Sequence, residues 1–449
     1  MKLKKSLLFR LEFFGGIIID KNTFDRIELT FDEALFIKAV EFLKVKEAER
    51  LVCDILKKDS IDIERLFRLQ VFSSDDVDTI PYIDVYSMIC EEYNKINDKM
   101  YLSFPLEIAI YPSMKCNLDC KFCFLGCKKD TKVYGAEYWG NIIEQGKAKG
   151  LLSVSILGGE PALYYDIDKL LKKCDDLEIN TVITTNTIKL KESTKRIIFN
   201  SKYITPAVSL QSLDNLNSLL MGCDYKTQIK FIEECLSHKK DVRINSVYTF
   251  QTFEQILKIY DFCVEKGIGR YSIANYSNTK DNIEMKYAHN LNDLAKLDEK
   301  VKKYIEKKYS NVSNLPTFSA EGCMLYSCYT NQVENKLKFS PFESQYFGCR
   351  GKYTKMEIYA DGSVYPCYRF ETVMSSTSNV FTENKSLEYI WWNDKNYKEI
   401  RQQKTNNSIC LECPFIDICE GGCYPSRIKT YKDNVIVKRD ENCQVLRGI

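Results

Sequence analysis

The sequence predicts an α/β protein whose centre is a parallel sheet of βα units, partly closed into a six-strand barrel. An N-terminal winged-helix-like domain precedes it and a cysteine-rich C-terminal domain follows it. Three observations carry this. Short apolar runs alternate with helix-length amphipathic segments from about residue 106. The first hundred residues read instead as strands followed by helices. Cysteines, nineteen in all, crowd the last third. The domain boundaries read as 1–100, 101–315 and 316–449.

In the first domain, Leu7–Phe13 and Gly15–Asp20 form β-leaning runs separated near Gly15-Gly16, a hairpin pattern. A third run, Arg26–Leu29, leads to Thr30, a residue type that caps helices. Leu35, Ile37, Val40 and Leu43 then recur at roughly helical spacing. Two further helical stretches follow, near 46–57 and 62–71.

The barrel strands read as Leu106–Tyr111, Leu152–Leu157, Thr181–Thr185, Ala207–Leu210, Val242–Tyr248 and Arg270–Ala274. Helices such as Glu137–Lys149 and Phe253–Lys266 lie between them, the rhythm of a parallel sheet. Lysine-rich 290–308 reads as a solvated helix or connector. From Cys323 onward regular structure is expected to be sparse.

Composition narrows the chemistry. With 64 Lys plus Arg against 62 Asp plus Glu, no global field favours nucleic acid or an acidic membrane. No apolar run is long enough to span a bilayer. Met1–Phe9 is basic then apolar, but Arg10 and Glu12 interrupt it and no small-residue cleavage site follows. A cytoplasmic protein is expected, in which many thiols serve as metal ligands rather than disulfides. Only His238 and His289 are present. That leaves little room for mixed Cys/His zinc sites or broad histidine acid–base catalysis.

The decisive spacing is Cys116-x3-Cys120-x2-Cys123, in a loop directly after the first barrel strand. Such loops lie at the C-terminal edge of a parallel sheet, where ligands bind. Three thiolates can hold a [4Fe–4S] cluster while leaving one iron open for a small molecule. A zinc knuckle, or chance among nineteen cysteines, is the plainer reading of the spacing alone. One strand later, again at a strand end, comes Gly158-Gly159-Glu160-Pro161. Its glycines permit close backbone approach to a ligand, and Glu160 supplies an acceptor for a cationic amine.

Together these motifs resemble the radical S-adenosylmethionine (SAM) superfamily over residues 106–315. The resemblance implies that Cys116, Cys120 and Cys123 ligate a cluster whose open iron chelates SAM. It implies that Phe122 lies against the adenine and that Gly158, Gly159 and Glu160 hold the methionine amino group. Asn186, Ser209, Gln211, Arg243 and Asn245 are the weaker strand-end matches for SAM contacts. Two positions depart from the family pattern: Thr187 stands where Gly is frequent, and Gln211 where Asp is usual. The implied chemistry is one-electron cleavage of SAM to a 5′-deoxyadenosyl radical that abstracts hydrogen from substrate, with the protein supplying orientation. No catalytic side chain beyond the cluster is assigned.

Downstream, Cys349, Gly362-x4-Cys367, Cys410-x2-Cys413-x5-Cys419-x3-Cys423 and Cys443 resemble the SPASM extension of that superfamily, with two auxiliary [4Fe–4S] clusters. A zinc ribbon would use four of these thiols and leave three unexplained. By the family pattern Cys410, Cys413, Cys419 and Cys443 serve one cluster, and Cys349, Cys367 and Cys423 the other. The fourth ligand of the latter is either Cys323 or Cys328, or its iron is open. Cys53, Cys90, Cys127, Cys174, Cys223, Cys235 and Cys263 read as small buried hydrophobes.

The first domain resembles the leader-peptide recognition domain of maturases of ribosomally synthesised peptides, which binds by strand addition. A DNA-binding winged helix is the alternative, but no basic helix is present. The whole therefore reads as a radical SAM/SPASM peptide maturase. Its expected partners are a precursor peptide and a reductant such as flavodoxin or ferredoxin. Thioether cross-linking leads, ahead of carbon–carbon cross-linking or epimerisation. A sulfatase-maturase-like protein oxidase and a zinc-binding winged-helix regulator are the other readings.

Overall fold

The computed structural model describes all residues except 24, 74–79, 126–131, 278–287, 323–338, 403–407, 432–433, 438–439, 441–442 and 444–449. Cys127, Cys323 and Cys328 lie outside the described residues. The chain divides into two compact units, Met1–Pro105 with Ser340–Gln345, and Leu106–Phe339 with Tyr346–Ile449.

In the first unit, β1 (Lys2–Leu3) stands apart from an antiparallel sheet of β2 (Leu7–Glu12), β3 (Gly15–Asp20) and β4 (Arg26–Leu29), in the order β2-β3-β4. β1 pairs instead with β5 (Phe72–Ser73). The hairpin turn is Phe13-Phe14, because Glu12 and Gly15 are in register, so the glycines lie inside β3 and not at the turn as expected. Their reason is space. A Cβ on Gly15 would lie 2.2 Å from the Leu29 carbonyl oxygen, and one on Gly16 2.9 Å from Ala34 Cβ.

Helix Phe31–Ala39 begins where Thr30 and Glu33 form a reciprocal capping box. Helices Val45–Leu56 and Glu64–Arg68 follow as expected, the second shorter than read. A fourth, Tyr82–Ile96, was not foreseen. Ile18, Leu35, Phe36, Leu51, Val85 and Ile89 share the core of this unit. Beneath the sheet, the buried pair Arg10–Glu12 (2.7 Å) holds the exit chain, with Ser103 N donating to Glu12 at 2.6 Å.

The second unit contains β6 (Glu107–Ile110), β7 (Ser153–Ile156), β8 (Asn180–Thr185), β9 (Ile204–Ser209), β10 (Arg243–Tyr248) and β11 (Arg270–Asn275). They lie side by side in sequence order and all parallel. These are the six strands read from the sequence. The sheet does not stop there. β12 (Thr317–Glu321) extends it beyond β11, and β13 (Lys355–Ile358) pairs in parallel with β6 on the other side. β14 (Val364–Tyr365) adds an antiparallel edge. Among the described residues the sheet has nine strands and open ends, a partial barrel.

Helix Leu291–Lys308 is not simply solvated: Leu294, Ala295 and Val301 are buried against Ile244, Ile259 and Tyr271. Its lysines cover only the outer face, as an amphipathic period requires. The region after residue 340 is more regular than expected, with helices Leu387–Asn393 and Lys395–Gln402 and a terminal pair of strands, β15 (Ile428–Tyr431) and β16 (Asn434–Val437).

The join of β13 to β6 is locked by charge. Glu107 pairs with Arg350 and accepts from Ser155 Oγ at 2.8 Å, and Lys355 pairs with Glu357 at 2.9 Å. Burial alone would raise the Glu107 pKa, but Arg350 and Lys355 outweigh it and hold the carboxyl at about 2. Among the described residues, no helix is long and apolar enough to cross a membrane.

Candidate active site

The loop after β6 and the loop after β7 are fastened together by backbone. Gly159 N donates to the Ser113 carbonyl at 3.0 Å, and Glu160 N to the Lys115 carbonyl at 2.7 Å. A Cβ on Gly158 would sit 2.3 Å from Ser113 O, and one on Gly159 2.0 Å from Lys115 O. Gly158 also holds a φ of 126°, which suits glycine. The glycines therefore admit the chain that presents Cys116.

Glu160 is buried and acts as a hub. Its Oε1 accepts from Thr185 Oγ1 (2.6 Å) and Ala162 N (3.2 Å), and its Oε2 from Asn186 N (2.8 Å). Burial raises its pKa, and these donors oppose the rise. Asn186, at the end of β8, donates from Nδ2 to Asn117 Oδ1 at 3.0 Å, one residue beyond Cys116. Gln228 Nε2 in turn donates to the Asn186 carbonyl at 3.0 Å and to Cys223 Sγ at 3.4 Å. A hydrogen-bonded chain thus runs from the β7 and β8 loops into the cysteine loop. Thr185, Asn117 and Gln228 were not singled out from the sequence. Asn117 had the one available signal, its place between two candidate ligands.

Cys116, Cys120 and Cys123 are partly exposed, and no disulfide joins any described cysteine. Burial first, then the Cys123, Cys116 and Cys223 sulfurs, push the Cys120 thiol up. Lys121 N donates to the Leu220 carbonyl at 3.0 Å, which docks this loop on the end of helix Asn215–Met221. Among the described residues, no three His, Cys, Asp or Glu side chains converge tightly enough for a single metal ion. Three thiols on one loop suit a cluster better, because each ligand takes a different corner.

The remaining residues read from the sequence divide. Phe122 is half-buried within the cysteine loop. Ser209 and Asn245 are register partners on β9 and β10. Gln211 is buried, and its Oε1 accepts from Val247 N at 2.8 Å, so that oxygen is engaged within the barrel. Arg243 is not brought to this edge. It is the first residue of β10, in register with Ala207 and with Arg270, the first residue of β11, and the charges of Arg270, Asp241, Glu321 and Glu107 act on it. Thr187 is buried at φ 72°, a left-handed conformation that glycine adopts freely, and its hydroxyl has no hydrogen-bond partner among the described residues.

The C-terminal cysteines are drawn together by three devices. Gly351, two residues after Cys349, packs so closely that a Cβ would lie 3.2 Å from Cys367 Cβ. Glu420 joins the 419–423 loop to the Cys349 helix, accepting from Lys352 Nζ and Tyr353 OH, both at 2.5 Å. Asp440 accepts from Cys423 N at 2.7 Å, and its carbonyl accepts from Cys443 N at 3.2 Å. Cys349 packs in one apolar group with Cys419 and in another with Cys367 and Cys123. Gly362 forms the β13–β14 turn at φ 87°. Cys410 and Cys413 face across one turn, with Cys413 N donating to the Cys410 carbonyl at 3.1 Å.

Residues 110–263 match the radical SAM superfamily model, and residues 349–414 match the SPASM model, described as an iron-sulfur cluster-binding domain. The SuiB protein of Streptococcus suis, bound to its precursor peptide SuiA, is 41% identical with a TM-score of 0.87 over 99% of each chain. The chain belongs to the radical SAM superfamily. A second SuiB structure, bound to S-adenosylmethionine, is also 41% identical with a TM-score of 0.87, over 99% of this chain and all of that one (100%). The PqqA peptide cyclase of Bradyrhizobium diazoefficiens is 21% identical over 329 residues, 71% of this chain and 81% of that protein. The cofactors of this radical SAM enzyme are a [4Fe–4S] cluster and SAM, and its SPASM domain binds further iron–sulfur clusters.

Proposed function

We propose that this radical SAM enzyme matures a ribosomally synthesised precursor peptide. The observation that carries the reading is likeness over 99% of the chain, first unit included, to a protein bound to its precursor peptide. Residues 1–100 bind the leader, residues 101–315 form the radical SAM barrel, and residues 316–449 form the SPASM domain. Cys116, Cys120 and Cys123 hold the catalytic cluster. Cys410, Cys413, Cys419 and Cys443 hold one auxiliary cluster, and Cys349, Cys367 and Cys423 the other. A flavodoxin- or ferredoxin-type reductant supplies electrons.

With SAM bound, the catalytic cluster supplies a carbon-centred radical able to take hydrogen from an unactivated C–H bond. The chain's own part is orientation. Glu160 fixes the β7 and β8 loops, Asn186 carries that order into the cysteine loop, and the Gly158-Gly159 contact holds Cys116 in place. Thioether formation is the outcome we favour.

The test is to incubate the anaerobically reconstituted enzyme with SAM, dithionite and the precursor peptide encoded beside its gene. The expected result is 5′-deoxyadenosine together with a peptide lighter by two hydrogens. Alkylation of the product separates the bonds, since a thioether removes one reactive thiol and a carbon–carbon bond removes none. An unmodified peptide, in a preparation holding about twelve irons per chain for three [4Fe–4S] clusters, would overturn the reading.

A further inference from the structure

Arg369 lies two residues after Cys367 and reaches a different part of the chain at each end of its guanidinium. Its Nε donates to Ser277 Oγ at 2.8 Å, just beyond the end of β11 at the C-terminal edge of the barrel. Its Nη1 donates to Ser426 Oγ at 3.0 Å and to Cys423 Sγ at 3.3 Å. The two serines aim the fork, and the sulfur receives it. Cys423 is fixed from its other side as well, by the bond from its amide to Asp440.

We infer that Arg369 tunes the auxiliary cluster held by Cys423, raising its reduction potential through a charge-assisted hydrogen bond to the ligand sulfur. This rests on the proposed assignment of Cys423 as an iron ligand. An arginine keeps its charge at any working pH. Taking up one electron adds one negative charge to a cluster, and a cation donating to a ligand sulfur favours that state. Hydrogen bonds to the sulfurs are among the features that set such potentials. Arg369 acts through Cys423, to whose sulfur it donates, so it is a positioning residue.

Potentiometric titration of the full-length holoenzyme, followed by electron paramagnetic resonance, tests this. Dithionite adds one electron per cluster and ferricyanide removes it. Arg369→Gln is expected to shift one couple about tenfold toward the oxidised form, about 59 mV lower for a one-electron couple. The other couples stay in place and the iron content is unchanged. Arg369→Lys, which keeps a charge without the fork, falls between. Ser277→Ala loosens the guanidinium and moves the same couple the same way by less. If iron is retained and every couple stays at its wild-type potential in all three variants, the inference is overturned. Cys423→Ser separates this from the ligand assignment, because unchanged iron and an unchanged spectrum there would sink the assignment itself.

Discussion

Gly159→Ala adds one methyl group to the point where two loops touch by backbone. The new Cβ would stand 2.0 Å from Lys115 O, 2.3 Å from its carbonyl carbon and 2.6 Å from Met114 O. Non-bonded carbon contacts settle near 3.5–4.0 Å, so one loop must move by roughly an ångström or more. No flexible side chain is there to yield, and the 2.7 Å bond from Glu160 N to Lys115 O lies across the same contact. Overpacking of this kind costs about 1–3 kcal/mol. Because Cys116 follows Lys115 directly, the displacement falls on the Cys116–Cys123 loop and on the Glu160 hub together. A loss of about 1.4–3 kcal/mol at the SAM site corresponds to roughly 10- to 100-fold weaker binding. Equilibrium SAM binding and iron per chain, on anaerobically reconstituted protein, measure both effects. Wild-type SAM affinity with a full complement of iron in Gly159→Ala would refute the reasoning.

Glu160→Gln replaces one accepting oxygen by an NH2 group that cannot accept, so one of the buried donors Asn186 N, Thr185 Oγ1 or Ala162 N loses its partner. The expected loss is about 1–3 kcal/mol in denaturant unfolding, with weaker SAM binding alongside. Glu107 has its pKa lowered from 4.5 to about 2. Its contribution is therefore complete above pH 4.5 and disappears as pH falls toward 2. Glu107→Gln should flatten that acid limb relative to wild type in unfolding followed by circular dichroism, and parallel limbs would count against it. Thr30→Ala removes the acceptor for Glu33 N and should cost the first unit about 1 kcal/mol, read as a lower unfolding midpoint.

The six barrel strands were legible because buried parallel strands leave apolar runs, and the helices between them leave a 3.6-residue period. Strands β13 and β14 were not, since β13 carries Lys355 and Glu357 in a buried ion pair that reads as polar until Glu107, the second carboxylate beside Lys355, is in view. The Gly15-Gly16 pair misled for a related reason. Glycine marks both turns and crowded strands, and only the distant Leu29 and Ala34 reveal which applies. Arg243 was placed by its strand but not by its position along it. A strand's two ends look alike in sequence, yet one faces the ligand edge and the other the strand starts. The cysteine motifs and the Gly158-Gly159-Glu160 turn stand out in the sequence because their residues lie in close local spacing. Their supports, Gln228, Glu420, Arg369 and Asp440, are single polar residues far along the chain, whose roles exist only once the chain is folded.

The supports also bear on how the family pattern tolerates change. Asn186 is held from three directions, by Glu160 at its amide, Gln228 at its carbonyl and Asn117 at its side chain. The following residue must then leave β8 at φ 72°, and here that residue is Thr187 rather than glycine. A β-branched residue in that conformation carries a cost of order 1–3 kcal/mol. It persists because the bonds on either side over-determine the turn, including the one from Thr187 N to Thr185 Oγ1 at 2.9 Å. The order of this edge of the sheet therefore resides in a network anchored on Glu160, and the glycines that matter most are those that let the Cys116 chain approach it.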